Sequence, residues 1–111
     1  MSNTKAEGGV SLTTGLQTVV VNAEADAKVR TYEIRFSNID GAASVDLTQC
    51  LLIDKSASSA SRPILPVNAT VKARDALMTR ITLDPGDSVQ ASASAAGDLY
   101  ALATKIFEEA A

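Results

Sequence analysis

Residues 29–39 read VRTYEIRFSNI, and no other stretch constrains the fold as strongly. Tyr32, Ile34 and Phe36 fall on one face, while Glu33, Arg35 and Ser37 fall on the other. A period of two is the mark of a strand with one buried face and one wet face. Arg30 and Arg35 are expected on that wet face with Glu33 between them, where cross-strand ion pairs contribute at most about 1 kcal/mol. The alternative for this face is that it docks on a partner.

The same period recurs along the chain. QTVVVN (17–22) is short and β-branched, a strand pattern. In SVDLTQCLLID (44–54), Val45 and Leu47 alternate, and the run then becomes continuously apolar from Cys50 to Ile53. That change of phase predicts a bulge, or a strand end covered on both faces. Further strands are predicted near 69–74 and 77–83. In the second of these, Leu77, Thr79, Ile81 and Leu83 alternate with Met78, Arg80 and Thr82. Val89, Ala91 and Ala93 alternate next, and LYALATKIF (99–107) returns after the turn signal AAGD, which predicts a hairpin. KIFEEAA at the end reads as a strand end and tail, with a short helix as the other option.

Between 83 and 88 stands Asp84-Pro85-Gly86-Asp87. Pro85 presets φ for the second position of a turn and Gly86 accepts φ > 0 at the third, which predicts a type II turn. KSASSASRP (55–63) predicts a long exposed loop, or a contact loop whose small side chains admit a partner. Pro63 and Pro66 lack amide donors and argue for a sheet edge or a sheet crossing there. Residues 1–15 are polar and poor in large apolar groups, and they read as a flexible N-terminal arm. Such an arm is either a frayed end or a segment that orders against a neighbouring subunit. The sum is an all-β fold: an antiparallel two-sheet sandwich or jelly roll of seven or eight short strands. An extended arm at 1–15 precedes a single β-sandwich domain at 16–111.

Composition narrows the chemistry. The chain has 111 residues, the length of one domain, and a net charge of −3 with the charges scattered. No Lys or Arg run exceeds one residue, so the phosphate neutralisation that drives nucleic-acid binding is poorly supplied, and no nucleic-acid partner is expected. There is no histidine, which removes the commonest general base near neutral pH and the commonest metal ligand. Cys50 is the only cysteine, so neither an intrachain disulfide nor a cysteine-based zinc site can form, and it reads as a small buried hydrophobe. Two Tyr, two Phe and no Trp give few stacking platforms. No apolar run approaches the ~20 residues of a membrane helix, and no membrane partner is expected. The first residues lack the apolar core of a secretory signal, so the protein is expected to stay in the cytoplasm where it is made or to join an assembly there.

The sequence holds no phosphate-cradling glycine loop with its lysine and no Ser–His or Cys–His pair; lysine-assisted serine catalysis stays open, but nothing selects one pair. Asp84 and Asp87 bracket one turn and Asp98 lies in the next. Oxygen ligands in loops suit calcium, but aspartates at turns ordinarily bond their own backbone. No enzyme activity, cofactor or metal is expected. The residues read as partner-binding are Lys5, Val10 and Leu12 in the arm, with Arg30, Arg35 and Arg62 in the body.

The order LTTGLQTVV … YEIRFSNID … DLTQCLLID … RITLDPGDSVQASASAAGDLYALATKIFEE resembles small all-β virion structural proteins of tailed bacteriophages. The elements that carry this resemblance are Leu12 to Val19, Asn38 near a strand end, the corner from Leu83 to Ala93, and Ala95 to Gly97. It covers most of the chain beyond residue 10, and its motifs are structural punctuation. Residues 55–75, with two prolines and the Ser/Ala segment, depart most from the pattern. The resemblance implies a virion component that binds other virion proteins: a capsid decoration (cement) protein on the head shell, or a neck, tail or fibre accessory protein. It implies the major capsid protein or other virion proteins as partners, and a homo-oligomer, with three copies favoured. A metal- or carbohydrate-binding β-sandwich module is the alternative outside that group.

Overall fold

A computed structural model describes residues 5–23, 25, 27–58 and 60–110. Nine strands are present among them: β1 (Lys5–Ser11), β2 (Gln17–Val21), β3 (Lys28–Asn38), β4 (Val45–Asp54), β5 (Ala60–Pro63), β6 (Ala69–Val71), β7 (Ala76–Leu83), β8 (Ser88–Ala93) and β9 (Leu99–Ala110). They form two antiparallel sheets. One has the order β1-β9-β3-β7; the other has the order β2-β8-β4-β5, with β6 also paired to β4. The body measures 44 × 34 × 18 Å, the thickness of two packed layers.

The pairing follows one rule. β1 pairs with β9, β2 with β8, β3 with β7, and β4 with β5 and β6, so the chain is a single long hairpin folded back at the β4–β5 connection. Rolling that hairpin adds the β3–β9 and β4–β8 ladders and completes both open sheets. This is the jelly-roll solution to the edge problem of an all-β chain. The sandwich expected from the strand periodicity is therefore present.

Each sheet contributes its inner face to one core. Tyr32, Ile34 and Phe36 on β3 are buried, as their alternation requires. They meet Val45, Leu47 and Cys50 on β4 and Val89, Ala91 and Ala93 on β8, together with Leu99, Ala101 and Ala103 on β9. The alanines Ala91, Ala93, Ala101 and Ala103 of β8 and β9 are all buried in that core. The phase change in β4 is a bulge: the β4–β8 register shifts between Leu47 and Gln49.

Three expectations are corrected. First, residues 5–11 are not an arm. They form β1, hydrogen-bonded along β9, and Leu12 beyond it is fully buried; residues 1–4 lie outside the described part. The domain thus begins well before residue 16. β1 reads as polar because it borrows its stability from β9. Its Gly9 lies under Tyr100, whose phenol occupies the place of a Cβ, so an alternating apolar pattern never arises. Second, β8 and β9 are not a hairpin. They lie in opposite sheets, and AAGD carries the chain across the sandwich. Third, residues 55–63 are not a long loop. A single 3-10 turn at Lys55–Ala57 and a left-handed Ser58 return the chain directly into β5. The Asp54 carboxylate accepts from Ser56 N at 3.1 Å and Ser56 Oγ at 2.7 Å, which sets that turn.

The corner at 84–87 has the geometry its residues predict. Asp87 N donates to Asp84 O at 3.0 Å and Gly86 has φ 92°, as a type II turn requires. The turn joins β7 to β8 and so passes from one sheet to the other.

Candidate partner-binding surface

Both ends of the sandwich are closed by a buried asparagine. At one end, Asn22 donates from Nδ2 to Lys28 O at 2.7 Å and to Leu83 O at 2.9 Å, and its Oδ1 accepts from Arg30 Nη1 at 2.9 Å. Its backbone N–H donates to Asp87 O at 2.9 Å, and its carbonyl accepts from Gly86 N at 2.7 Å. At the other end, Asn38 Nδ2 donates to Ala43 O at 2.9 Å and Val71 O at 3.0 Å, while its Oδ1 accepts from Asp40 N at 2.9 Å. Each amide therefore caps carbonyls where strands begin or end, and Asn38 also holds the Ala43 loop, which buried backbone groups demand. Sequence reasoning missed Asn22. The available signal was its place at the end of an apolar run, VVVN.

Arg30 belongs to the first of these ends and not to the wet face. It has the same parity as Tyr32, and its side chain is only 14% exposed. Its Nε donates to Glu108 Oε1 at 2.8 Å. Lys105 Nζ also reaches Glu108, at 3.4 Å. The hydrogen bond from Arg30 is the largest influence holding the Glu108 carboxyl below the ordinary glutamate range; desolvation opposes it and Lys105 assists. The bond from Ser56 lowers Asp54 in the same way. Asp87 is buried and accepts from Lys55 N at 3.0 Å and Asp84 N at 3.2 Å, so its role is to pin the corner. Burial pushes the Cys50 thiol up to about 12, well away from the thiolate that nucleophilic chemistry uses. Among the described residues no cluster of three or more Cys, Asp or Glu side chains is arranged to hold a metal ion, and no helix is long and apolar enough to cross a membrane.

The remaining partner-binding expectations separate. Leu12 is a core residue, and Val10 packs against the core, so neither offers a free contact. Lys5 lies in register with Lys105 at the start of β1, and its side chain lies outside the described part. Arg62 sits on β5, at the edge of the other sheet, with Asp54 at 3.4 Å. Only Arg35 occupies the broad outer face.

That face belongs to the sheet β1-β9-β3-β7. In register across it run Leu102, Arg35 and Met78, then Thr104, Glu33 and Arg80, then Phe107, Thr31 and Thr82. Tyr100 stands opposite Ser37 in the row beyond Leu102. Met78 and Phe107 are each 51% exposed, with Tyr100 and Leu102 also open to solvent. Arg35 Nη2 lies 3.7 Å from Met78 Sδ, and Arg80 Nη2 lies 3.2 Å from Glu33 Oε2. Aromatic, Met and Arg side chains are the types enriched where proteins meet. The arrangement is suited to recognition by contact and contains no converging acid, base and nucleophile.

The class defined by this fold and surface is an all-β jelly-roll sandwich with an amphipathic sheet face. No protein-family model matches the chain, and no curated protein matches it in sequence.

Proposed function

We propose that this chain is a non-enzymatic structural protein of a tailed-bacteriophage virion, a decoration protein that binds the assembled head shell and stabilises it. The observation that carries the reading is the outer face of the four-stranded sheet, where Met78, Tyr100, Leu102 and Phe107 interleave with Arg35 and Arg80. The resemblance of the strand and corner motifs to small virion proteins supplies the identity of the partner. The protein acts in the virion, on the major capsid protein, as one of many identical copies. Binding to the assembled shell and not to separated subunits stabilises the shell by mass action. Copies repeated over a lattice let a modest contact suffice at each position.

Co-sedimentation of the purified protein with empty head shells, against tails alone, tests the reading. Binding to shells that is lost in Leu102→Asp and Phe107→Asp, with the circular dichroism spectrum unchanged, is the expected result. Binding to tails alone would move the protein to a neck, tail or fibre position. Binding to neither particle would remove the virion reading.

A further inference from the structure

The two sheets have free edges at β1 and β7 in one and at β2, β5 and β6 in the other. An open edge invites further strand pairing unless it is short, bulged, charged or interrupted by proline. Four of these five edges carry such devices. β1 has a register shift between Ala6 and Gly9. β2 has only five residues and a shift between Thr18 and Val20. β5 has four residues and ends at Pro63, and β6 has three. β7 has only one of them, a single charge. It runs eight residues, and its register with β3 is unbroken from Ala76 to Leu83. Its one charge, Arg80, is engaged by Glu33.

The direction of its free groups can be read from one bond. Asn38 N donates to Asp75 O at 2.9 Å, so the position just before β7 faces β3. In an antiparallel ladder the next residue faces away, and the two kinds alternate. Leu77, Thr79, Ile81 and Leu83 therefore bond toward β3. Ala76, Met78, Arg80 and Thr82 turn their N–H and C=O groups outward, where no strand among the described residues meets them.

We propose that β7 pairs antiparallel with β7 of a second copy, about a two-fold axis at Thr79, joining the two four-stranded sheets into one. Directly opposed residues must share a face, so the axis must pass through a residue position. An axis at Arg80 sets two guanidinium groups opposite each other. An axis at Met78 or Ile81 leaves outward groups beyond the overlap. At Thr79 each outward residue finds an outward partner: Ala76 opposite Thr82, and Met78 opposite Arg80. On the inner side, Leu77 stands opposite Ile81 and extends both cores at their rims. The resemblance favours three copies; this edge fits two. The joined face would carry the apolar and Arg rows of both copies side by side.

Sedimentation equilibrium of the full chain tests this. The expected mass is about twice the 11.5 kDa of one chain. Met78→Pro removes an N–H that bonds nothing within one copy, so a folded monomer is expected. Met78→Lys faces Arg80 of the second copy and should weaken pairing several-fold, whereas Met78→Glu should strengthen it. Thr79→Cys should cross-link across the axis under mild oxidation, since opposed residues at a non-hydrogen-bonded site lie about 4.5 Å apart. A monomer at every concentration, or a trimer, overturns the proposal. So does a dimer that survives Met78→Pro, or one in which Lys and Glu at position 78 behave alike and Thr79→Cys fails to cross-link. Those last two measurements decide the matter if Met78→Pro does not fold. A monomer that still co-sediments with head shells would leave the proposed function standing, and a dimer that binds no particle would do the opposite.

Discussion

Asn22 shows how much can depend on one side chain. Its amide satisfies Lys28 O, Leu83 O and Arg30 Nη1 at once, where β3 begins and β7 ends. Asn22→Ala should lower stability by about 1–3 kcal/mol in urea denaturation, because the buried Leu83 carbonyl and the part-buried Lys28 carbonyl lose their donor. Glu108, at the same end, gives a pH signature. Its folded pKa is lowered by Arg30, so its contribution is fully present above the ordinary glutamate pKa of about 4.3 and is lost as pH falls through the depressed value. Glu108→Gln should therefore melt lower than the wild type at neutral pH, and the gap should close on acidification. Thermal melts from pH 7 to 3 would show this; a gap constant with pH would rule it out. Neither residue announced its role in the sequence. Arg30 was placed on the wrong face because the charge pattern of Arg30, Glu33 and Arg35 was read ahead of parity. A distance of five residues puts two strand side chains on opposite faces.

At the scale of elements, the sequence was most legible where one face is buried and one is wet. β3 and β7 show the alternation in their residues and the same alternation in their burial, and β8 follows it until the buried Ser92. The corner between β7 and β8 was equally plain, because proline and glycine state their torsions outright. Within it the two aspartates differ. Asp87 holds Lys55 N and Asp84 N from a buried position, whereas Asp84 is exposed. Asp87→Ala should cost about 1–3 kcal/mol and Asp84→Ala under about 0.5 kcal/mol, read as denaturation midpoints of the two variants. Equal effects would show that the corner is held by its turn alone. What stayed illegible was pairing between distant segments. Nothing local in LYALATKIF says that it lies between β1 and β3 and not against its neighbour β8. Nothing in KAEGGVS marks a strand, since two glycines and a lysine carry no periodicity.

For the whole molecule, the nested pairing makes the first residues as structural as the middle ones. Leu12 is fully buried, its N–H donates to Leu99 O at 2.8 Å, and its carbonyl accepts from Gly97 N at 3.0 Å. Leu12→Ala should cost about 2–5 kcal/mol, and removal of residues 1–14 should disrupt the fold as well as any attachment. A truncated chain with an unchanged melting temperature would show that β1 and Leu12 are dispensable. The amphipathic face likewise exists only at this scale, since its rows draw one residue each from β9, β3 and β7. β1 and β9 run antiparallel with Lys5 beside Lys105, and β9 continues only to Ala110. Lys5 and Ala110 therefore both lie toward the Asn22 end, while the connections around Asn38 occupy the opposite pole. A linker joining Lys5 to Ala110 across that end, with new ends opened in a connection at the far pole, would give a circular permutant with every described ladder intact and the outer sheet face unobstructed.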